Sequence, residues 1–214
     1  MQAYTDLVLI TVALTNLALT GVASLGTCIR VMALQGVLLG IVTVTVRQEG
    51  VSIHTLVFVT IAVVLKGFVF PRLLLRAVRE ADVRREVEPF VGFTFSLLIG
   101  TLALPAAMWL GARLPAATPQ APPLAAPVAF HAILVGLFLI VSRRKAITQV
   151  LGYLAMENGI FLFGVGLVRQ ATLLVELGIL LDVFVAVFVM GIAIFHISRE
   201  FDHMDTDRLS SLKE

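Results

Sequence analysis

The sequence predicts an all-α, polytopic membrane protein of about seven transmembrane helices, its N-terminus outside and its C-terminus cytoplasmic. Three observations carry that reading. Hydrophobic residues make up 59% of the 214 residues and charged residues 14%, where a soluble domain carries about 25% charged. A mean hydropathy of +1.01 leaves more apolar side chains than a core of this size can hide, so much of the surface must face lipid or protein. The apolar residues also fall into runs of membrane-crossing length, separated by short charged or proline-rich segments.

A helical span needs roughly 20 mostly apolar residues, and seven runs meet or approach that length: 7–25, 29–46, 51–70, 90–110, 127–141, 146–168 and 171–197. Thr5 and Asp6 before the first run and Ser52 near the start of the third offer N-cap chemistry. The first residues lack a basic n-region and a cleavage site, so the first run reads as a retained helix. With the N-terminus outside, Arg30, Arg72, Arg76, Arg79, Arg84, Arg85, Arg143, Arg144, Lys145, Arg199, Arg208 and Lys213 fall on the cytoplasmic side. That is 12 of the 16 Lys and Arg, the bias expected of cytoplasmic loops. Arg47, Arg113 and Arg169 fall outside, and Lys66 lies within a span.

The chain divides into a three-helix segment (1–71), a cytoplasmic interfacial linker (72–89), an isolated fourth span with a Pro-rich outside loop (90–126), a second three-helix segment (127–198) and a cytoplasmic tail (199–214). In the linker, Arg, Glu and Asp alternate with Leu73, Leu74, Leu75, Val78, Val83 and Val87, which suits a short helix lying at the interface. The prolines at 115, 119, 122, 123 and 127 cannot continue a helix. Gln35 in the second span aligns with Glu157 in the sixth, and Ala33 with Ala155, so the two triplets are candidate parallel repeats in which a carboxylate has been neutralised at Gln35.

Several function classes are excluded by composition. Cys28 is the only cysteine, so this chain holds neither a four-thiolate iron–sulfur cluster nor an internal disulfide. The G-x-x-x-x-G-K-[ST], H-E-x-x-H and G-x-S-x-G patterns are absent. The net charge of +2 comes from basic residues beside apolar spans, where they set orientation rather than bind nucleic acid.

The informative residues are the charges inside the spans, each costing about 2.5–3.5 kcal/mol near the bilayer centre. Glu157 and Asp182 lie near the middle of the sixth and seventh spans, Glu176 about one turn inside the outer surface, and Lys66 in the cytoplasmic half of the third. One reading makes them structural ion pairs, Lys66 with Glu157 or Asp182. The other makes them a lateral proton path, since low dielectric disfavours a charged carboxyl, a lysine favours it, and the balance allows exchange. Gln149, Tyr153 and Glu157 recur at i, i+4 and i+8 on one stripe, with Asn158 beside them. Gly152, Gly159, Gly164 and Gly166 permit close helix packing. His54 and His131 sit near the outer ends of their spans as interfacial histidines, with His131 a candidate relay.

Gln149-Val-Leu-Gly-Tyr-Leu-Ala-Met-Glu157-Asn158-Gly-Ile-Phe-Leu and Glu176-Leu-Gly-Ile-Leu-Leu-Asp182-Val-Phe-Val-Ala-Val-Phe-Val-Met-Gly-Ile resemble the hydrogenase-4 component E family. So do Arg30-Val-Met-Ala-Leu-Gln35, Lys66-Gly67 and the tail Asp205-Thr-Asp207-Arg208-Leu. The resemblance implies a membrane subunit of a group 4 [NiFe] hydrogenase or formate hydrogenlyase-type complex in a prokaryotic cell membrane, its last three helices similar to the small three-helix subunit of complex I and of sodium/proton antiporters. It implies no cofactor in this chain, with the nickel–iron centre and iron–sulfur clusters in partner subunits. The implied partners are large antiporter-like membrane subunits, a quinone-site-type membrane subunit and the hydrogenase peripheral arm. Glu157 matches the family's mid-membrane glutamate, and Asp182 falls near a second polar site at a different spacing. The expected proton path is Glu157, Lys66, Asp182, Glu176, Gln35, Tyr153, Asn158 and His131. The alternatives are a subunit of a cation/proton antiporter without a redox partner, and a scaffold whose charges only pair.

Overall fold

The computed structural model describes residues 2–46, 53–80, 90–114 and 122–167, and residues 187 and 191. The described residues form helices α1 (Gln2–Gly21), α2 (Leu25–Val46), α3 (Ile53–Val64), α4 (Phe70–Glu80), α5 (Phe93–Gly111), α6 (Ala125–Ser142) and α7 (Ala146–Leu167). A π-helical turn, Leu65–Val69, joins α3 to α4. Every regular element among the described residues is helical, and α1, α2, α5, α6 and α7 are each long and apolar enough to cross a membrane. The expected third span is α3 prolonged through the π turn. The expected seventh, with Glu176 and Asp182, lies outside the described residues apart from Val187 and Gly191, which are helical.

Boundaries moved where local chemistry was misjudged. Helix α1 begins at Gln2, so Thr5 and Asp6 sit within its first turns instead of capping it. The interfacial linker does not start a new helix at residue 72: α4 runs on from the π turn. Pro71 explains the turn. It has no N–H, and its ring crowds the carbonyl four residues back, that of Gly67. Widening the preceding turn relieves the crowding, and Phe70 N–H reaches back to Leu65 O.

Packing is organised in two apolar layers. At one end of the bundle, Leu19, Ile29, Met32, Leu74, Leu139, Leu151 and Leu154 belong to one cluster. At the other end, Leu9, Val12, Leu39, Val42, Val128, Phe161 and Leu162 belong to a second cluster. Helices α6 and α7 lie backbone against backbone. A methyl group added at Gly152 would sit 2.8 Å from Ile140 N, and one at Gly159 would sit 2.7 Å from Ala129 O. Small residues let the two backbones meet, which is how helices pack when lipid supplies no hydrophobic drive between them. Helix α5 is not isolated: it packs on α6 and α1, while much of its surface, including Phe95, Leu98, Leu102 and Trp109, is exposed.

Candidate functional site: a buried polar belt

The two apolar layers stand about two helical turns apart on each helix, and the polar residues fill the space between them. On α1, Thr15 and Asn16 lie between Val12 and Leu19. On α2, Gln35 lies between Met32 and Leu39, and on α7 Glu157 and Asn158 lie between Leu154 and Phe161. Spacings of three to four residues keep each group on the buried face of its helix. Gln35 and Glu157 both lie roughly 15 Å along their helices from the N-terminal ends, at 1.5 Å per residue.

Lys66 enters this belt from the π turn. Its ammonium forms an ion pair with Glu157 Oε2 and donates to Asn158 Oδ1 at 3.0 Å. The pair is buried, with Lys66 8% exposed and Glu157 2%. Close approach of α2 makes the entry possible. A methyl group at Gly36 would sit 2.5 Å from Lys66 Cβ and 3.0 Å from its carbonyl carbon, so any larger residue there would force the π turn away. The Phe161 ring lies 5.4 Å from Lys66 Nζ, within reach of a cation–π attraction.

Amides extend the belt to α1. Asn158 Nδ2 donates to Gln35 Oε1 at 3.2 Å, and Gln35 Nε2 donates to Thr15 Oγ1 and to Asn16 Oδ1, both at 2.9 Å. A small cavity of about 10 Å³ adjoins Lys66, lined by Gly36, Leu39, Gly40, Thr43, Val59, Ala62 and Phe161. Its volume is about that of one water position.

The remaining sequence candidates are distributed differently. Gln149 is exposed and its amide donates to Arg143 O at 3.0 Å, so the expected stripe of Gln149, Tyr153 and Glu157 divides. Its first member serves the α6–α7 connection, Tyr153 is half-buried against the cluster that contains Leu151 and Leu154, and Glu157 alone enters the belt. His131 is fully buried within the protein. One ring nitrogen, Nε2, lies 3.1 Å from Gly100 O of α5, so the histidine ties α6 to α5, and its Nδ1 is buried without a hydrogen-bond partner.

Sequence reasoning missed three residues. Thr15 and Asn16 form the far end of the network. The available signal was that the chain has only two asparagines, both at the centre of apolar runs. Arg143, counted as a cytoplasmic charge, is 1% exposed. It donates through Nη2 to Thr20 O at 3.0 Å and lies 5.5 Å from the Phe93 ring. A cation on a carbonyl in the last turn of α1 is a favourable C-terminal partner. Among the described residues no cluster of His, Cys, Asp and Glu has the makings of a metal site.

The fold and the belt define a class: a multi-pass helical membrane protein built around a buried charge pair. The comparisons narrow it. The family model for NADH-ubiquinone/plastoquinone oxidoreductase chain 4L matches residues 124–214, which include α6, α7 and Glu157. The uncharacterized protein Rv0085 of Mycobacterium tuberculosis is 35% identical over 188 residues, covering 87% of this chain and 85% of the relative. Hydrogenase-4 component E of Escherichia coli K12 and that of Shigella flexneri are each 42% identical over 101 residues, 47% of this chain and 46% of theirs, so the alignment spans about half of those proteins. No solved structure matches. The chain belongs to one family with Rv0085; its C-terminal part carries the chain 4L domain, and about half of it is similar to hydrogenase-4 component E.

Proposed function

We propose that the chain is a non-catalytic membrane-arm subunit of a complex I-like [NiFe] hydrogenase in the prokaryotic cytoplasmic membrane, and that its Lys66–Glu157 pair exchanges protons on a path through that arm. One observation carries the mechanism: a carboxyl and an amine, both titratable, meet in a buried belt between two apolar layers. An intramembrane ionisable pair is a functional site by default. The reaction centre and its metals belong to partner subunits in this reading, and redox events there drive proton exchange at the pair by shifting its electrostatic surroundings. Glu176 and Asp182, on the segment after α7, are the next acidic groups along the chain and extend the path beyond Glu157.

Two measurements test the reading. Affinity purification of the tagged chain in mild detergent recovers a [NiFe] large subunit and antiporter-like membrane subunits. Recovery of antiporter-type subunits without any hydrogenase subunit would instead identify a cation/proton antiporter. The variant Glu157→Gln keeps the side chain's size and removes its titratable proton. In inverted membrane vesicles it assembles, and proton uptake per redox turnover collapses. Unchanged uptake by an assembled Glu157→Gln complex removes Glu157 from the path and leaves the pair a structural contact.

A further inference from the structure

The amide groups of the belt have a direction, and the chemistry of Lys66 sets it. A lysine ammonium carries three donors and no acceptor. Asn158 must therefore turn its carbonyl oxygen toward Lys66, 3.0 Å away, which leaves its NH2 group facing Gln35. Gln35 has to meet that donor with Oε1, at 3.2 Å, and so presents its own NH2 to α1. Asn16 receives one of those hydrogens on Oδ1, and Thr15 Oγ1 receives the other, each at 2.9 Å. The Thr15 hydroxyl is free to accept because it donates its own proton to Val12 O at 2.7 Å. Each donor thus points away from Lys66, and the last NH2 group, Asn16 Nδ2, is buried without a partner. Turning over any one amide would bring donor to donor or carbonyl to carbonyl, and reversing all of them would set the Asn158 NH2 against the ammonium, so the chain holds in this one direction.

We infer that Gln35 and Asn16 are positioning residues for Lys66. The oxygen of Asn16 anchors the NH2 of Gln35, the oxygen of Gln35 anchors the NH2 of Asn158, and the oxygen of Asn158 holds the ammonium against Glu157. Helix α1, which contributes no charge to the pair, thereby fixes its geometry from two side chains away. The inference deepens the proposed function, since it takes the Lys66–Glu157 pair as the site that is being positioned. It makes one chemical demand that packing alone does not make: α1 must accept both hydrogens of the Gln35 NH2, one at Thr15 Oγ1 and one at position 16, so an acceptor oxygen is needed at position 16 and its NH2 group is dispensable.

The test uses the full complex in membranes with ¹⁵N-labelled lysine, the label falling in this chain on only Lys66, Lys145 and Lys213. Solid-state NMR reads the Nζ resonance of Lys66, assigned by its loss in Lys66→Met. The unmodified chain gives one narrow Lys66 resonance. Asn16→Leu and Gln35→Leu, which break the chain at different links, broaden or split it as Asn158 loses its fixed rotamer. Asn16→Asp keeps the acceptor, discards the idle donor, and retains the single resonance. An unchanged Lys66 signal in assembled Asn16→Leu and Gln35→Leu overturns the inference, and so does equal perturbation by Asn16→Asp and Asn16→Leu. Loss of assembly in both position-16 variants also overturns it, because it makes Asn16 a packing residue. If Gln35→Leu alone fails to assemble, the Asn16 pair decides. Failure of the proton-path reading would show separately, as undiminished proton uptake in Glu157→Gln with these resonances behaving as described.

Discussion

Removing one partner of the Lys66–Glu157 pair should cost far more than removing both. Lys66→Met leaves a buried carboxylate without its counter-charge, and Glu157→Leu leaves a buried ammonium that keeps the Asn158 oxygen and the Phe161 ring but has lost its counter-charge. Breaking a buried pair from one side destabilises by about 3–5 kcal/mol, because the surviving charge stays desolvated. The double variant has no stranded charge. It gives up the hydrogen bond to Asn158 Oδ1 and puts methyl groups where the ions were, so its cost is about 1–3 kcal/mol for one unsatisfied buried acceptor. The two single costs add to roughly 6–10 kcal/mol, and the double should fall short of that sum by about 5 kcal/mol, a coupling reserved for groups in direct contact. Reversible unfolding of the purified chain in mixed micelles, followed by a trapped-state binding assay, measures all four corners of the cycle. Additivity of the two single variants within about 0.5 kcal/mol would refute the contact.

Further outcomes follow from the packing. Gly152→Ala and Gly159→Ala each drive a methyl group into α6 backbone at 2.7–2.9 Å, and the same assay should register about 1–3 kcal/mol of overpacking, against less than about 0.5 kcal/mol for Gly92→Ala, where nothing lies within 4 Å. Gly36→Ala should push the π turn off α2, since its methyl group falls 2.5 Å from Lys66 Cβ. Its expected mark is weakened coupling in the Lys66/Glu157 cycle. Arg143→Ala should cost about 1.5–3 kcal/mol through the lost charged hydrogen bond to Thr20 O, whereas Arg144→Ala at an exposed position should stay within about 0.5 kcal/mol; thermal unfolding of the two variants side by side checks the difference.

Much of the architecture was legible because the bilayer imposes a length rule that sequence displays directly. Five apolar runs became helices long enough to cross, and Lys66 and Glu157 stood out because a charge in such a run is costly wherever it faces. What sequence did not display is which side of a helix faces protein. Arg143 and Arg144 are neighbours of identical composition, and the positive-inside rule counts them alike. Only the fold shows that one is buried on the end of α1 and the other exposed. The contact of His131 was hidden for the same reason: depth along the helix says nothing of the α5 carbonyl it meets. The π turn was the most accessible of the missed features, because Pro71 follows Lys66 by five residues and a proline at that distance disturbs the turn before it. Asn16 was passed over because a single amide in an apolar run carries no periodicity. Its partner lies 19 residues away on the next helix.

The construction of the site bears on why a charge is kept there at all. A buried ion pair is a poor adhesive: apolar residues of similar volume replace one with no loss, and often with a gain of 1–4 kcal/mol. Helices α6 and α7, moreover, already meet backbone to backbone through Gly136, Gly152 and Gly159, and the apolar layers above and below the belt bind α1, α2 and α7 together. Adhesion at this level is supplied without Lys66. Yet delivering Lys66 takes a π turn, which forgoes regular helix geometry, a glycine at position 36 with no room for a side chain, and three amides committed to one another across the bundle. Each of these lowers stability relative to a plain leucine interface or at best leaves it level. Features that cost stability and converge on two titratable atoms are intelligible if the atoms' charge is used, since function is the recurrent reason for retaining such sites. The double variant described above separates the two purposes: a chain that folds well without either charge, and whose complex no longer moves protons, has given up the function and kept the fold.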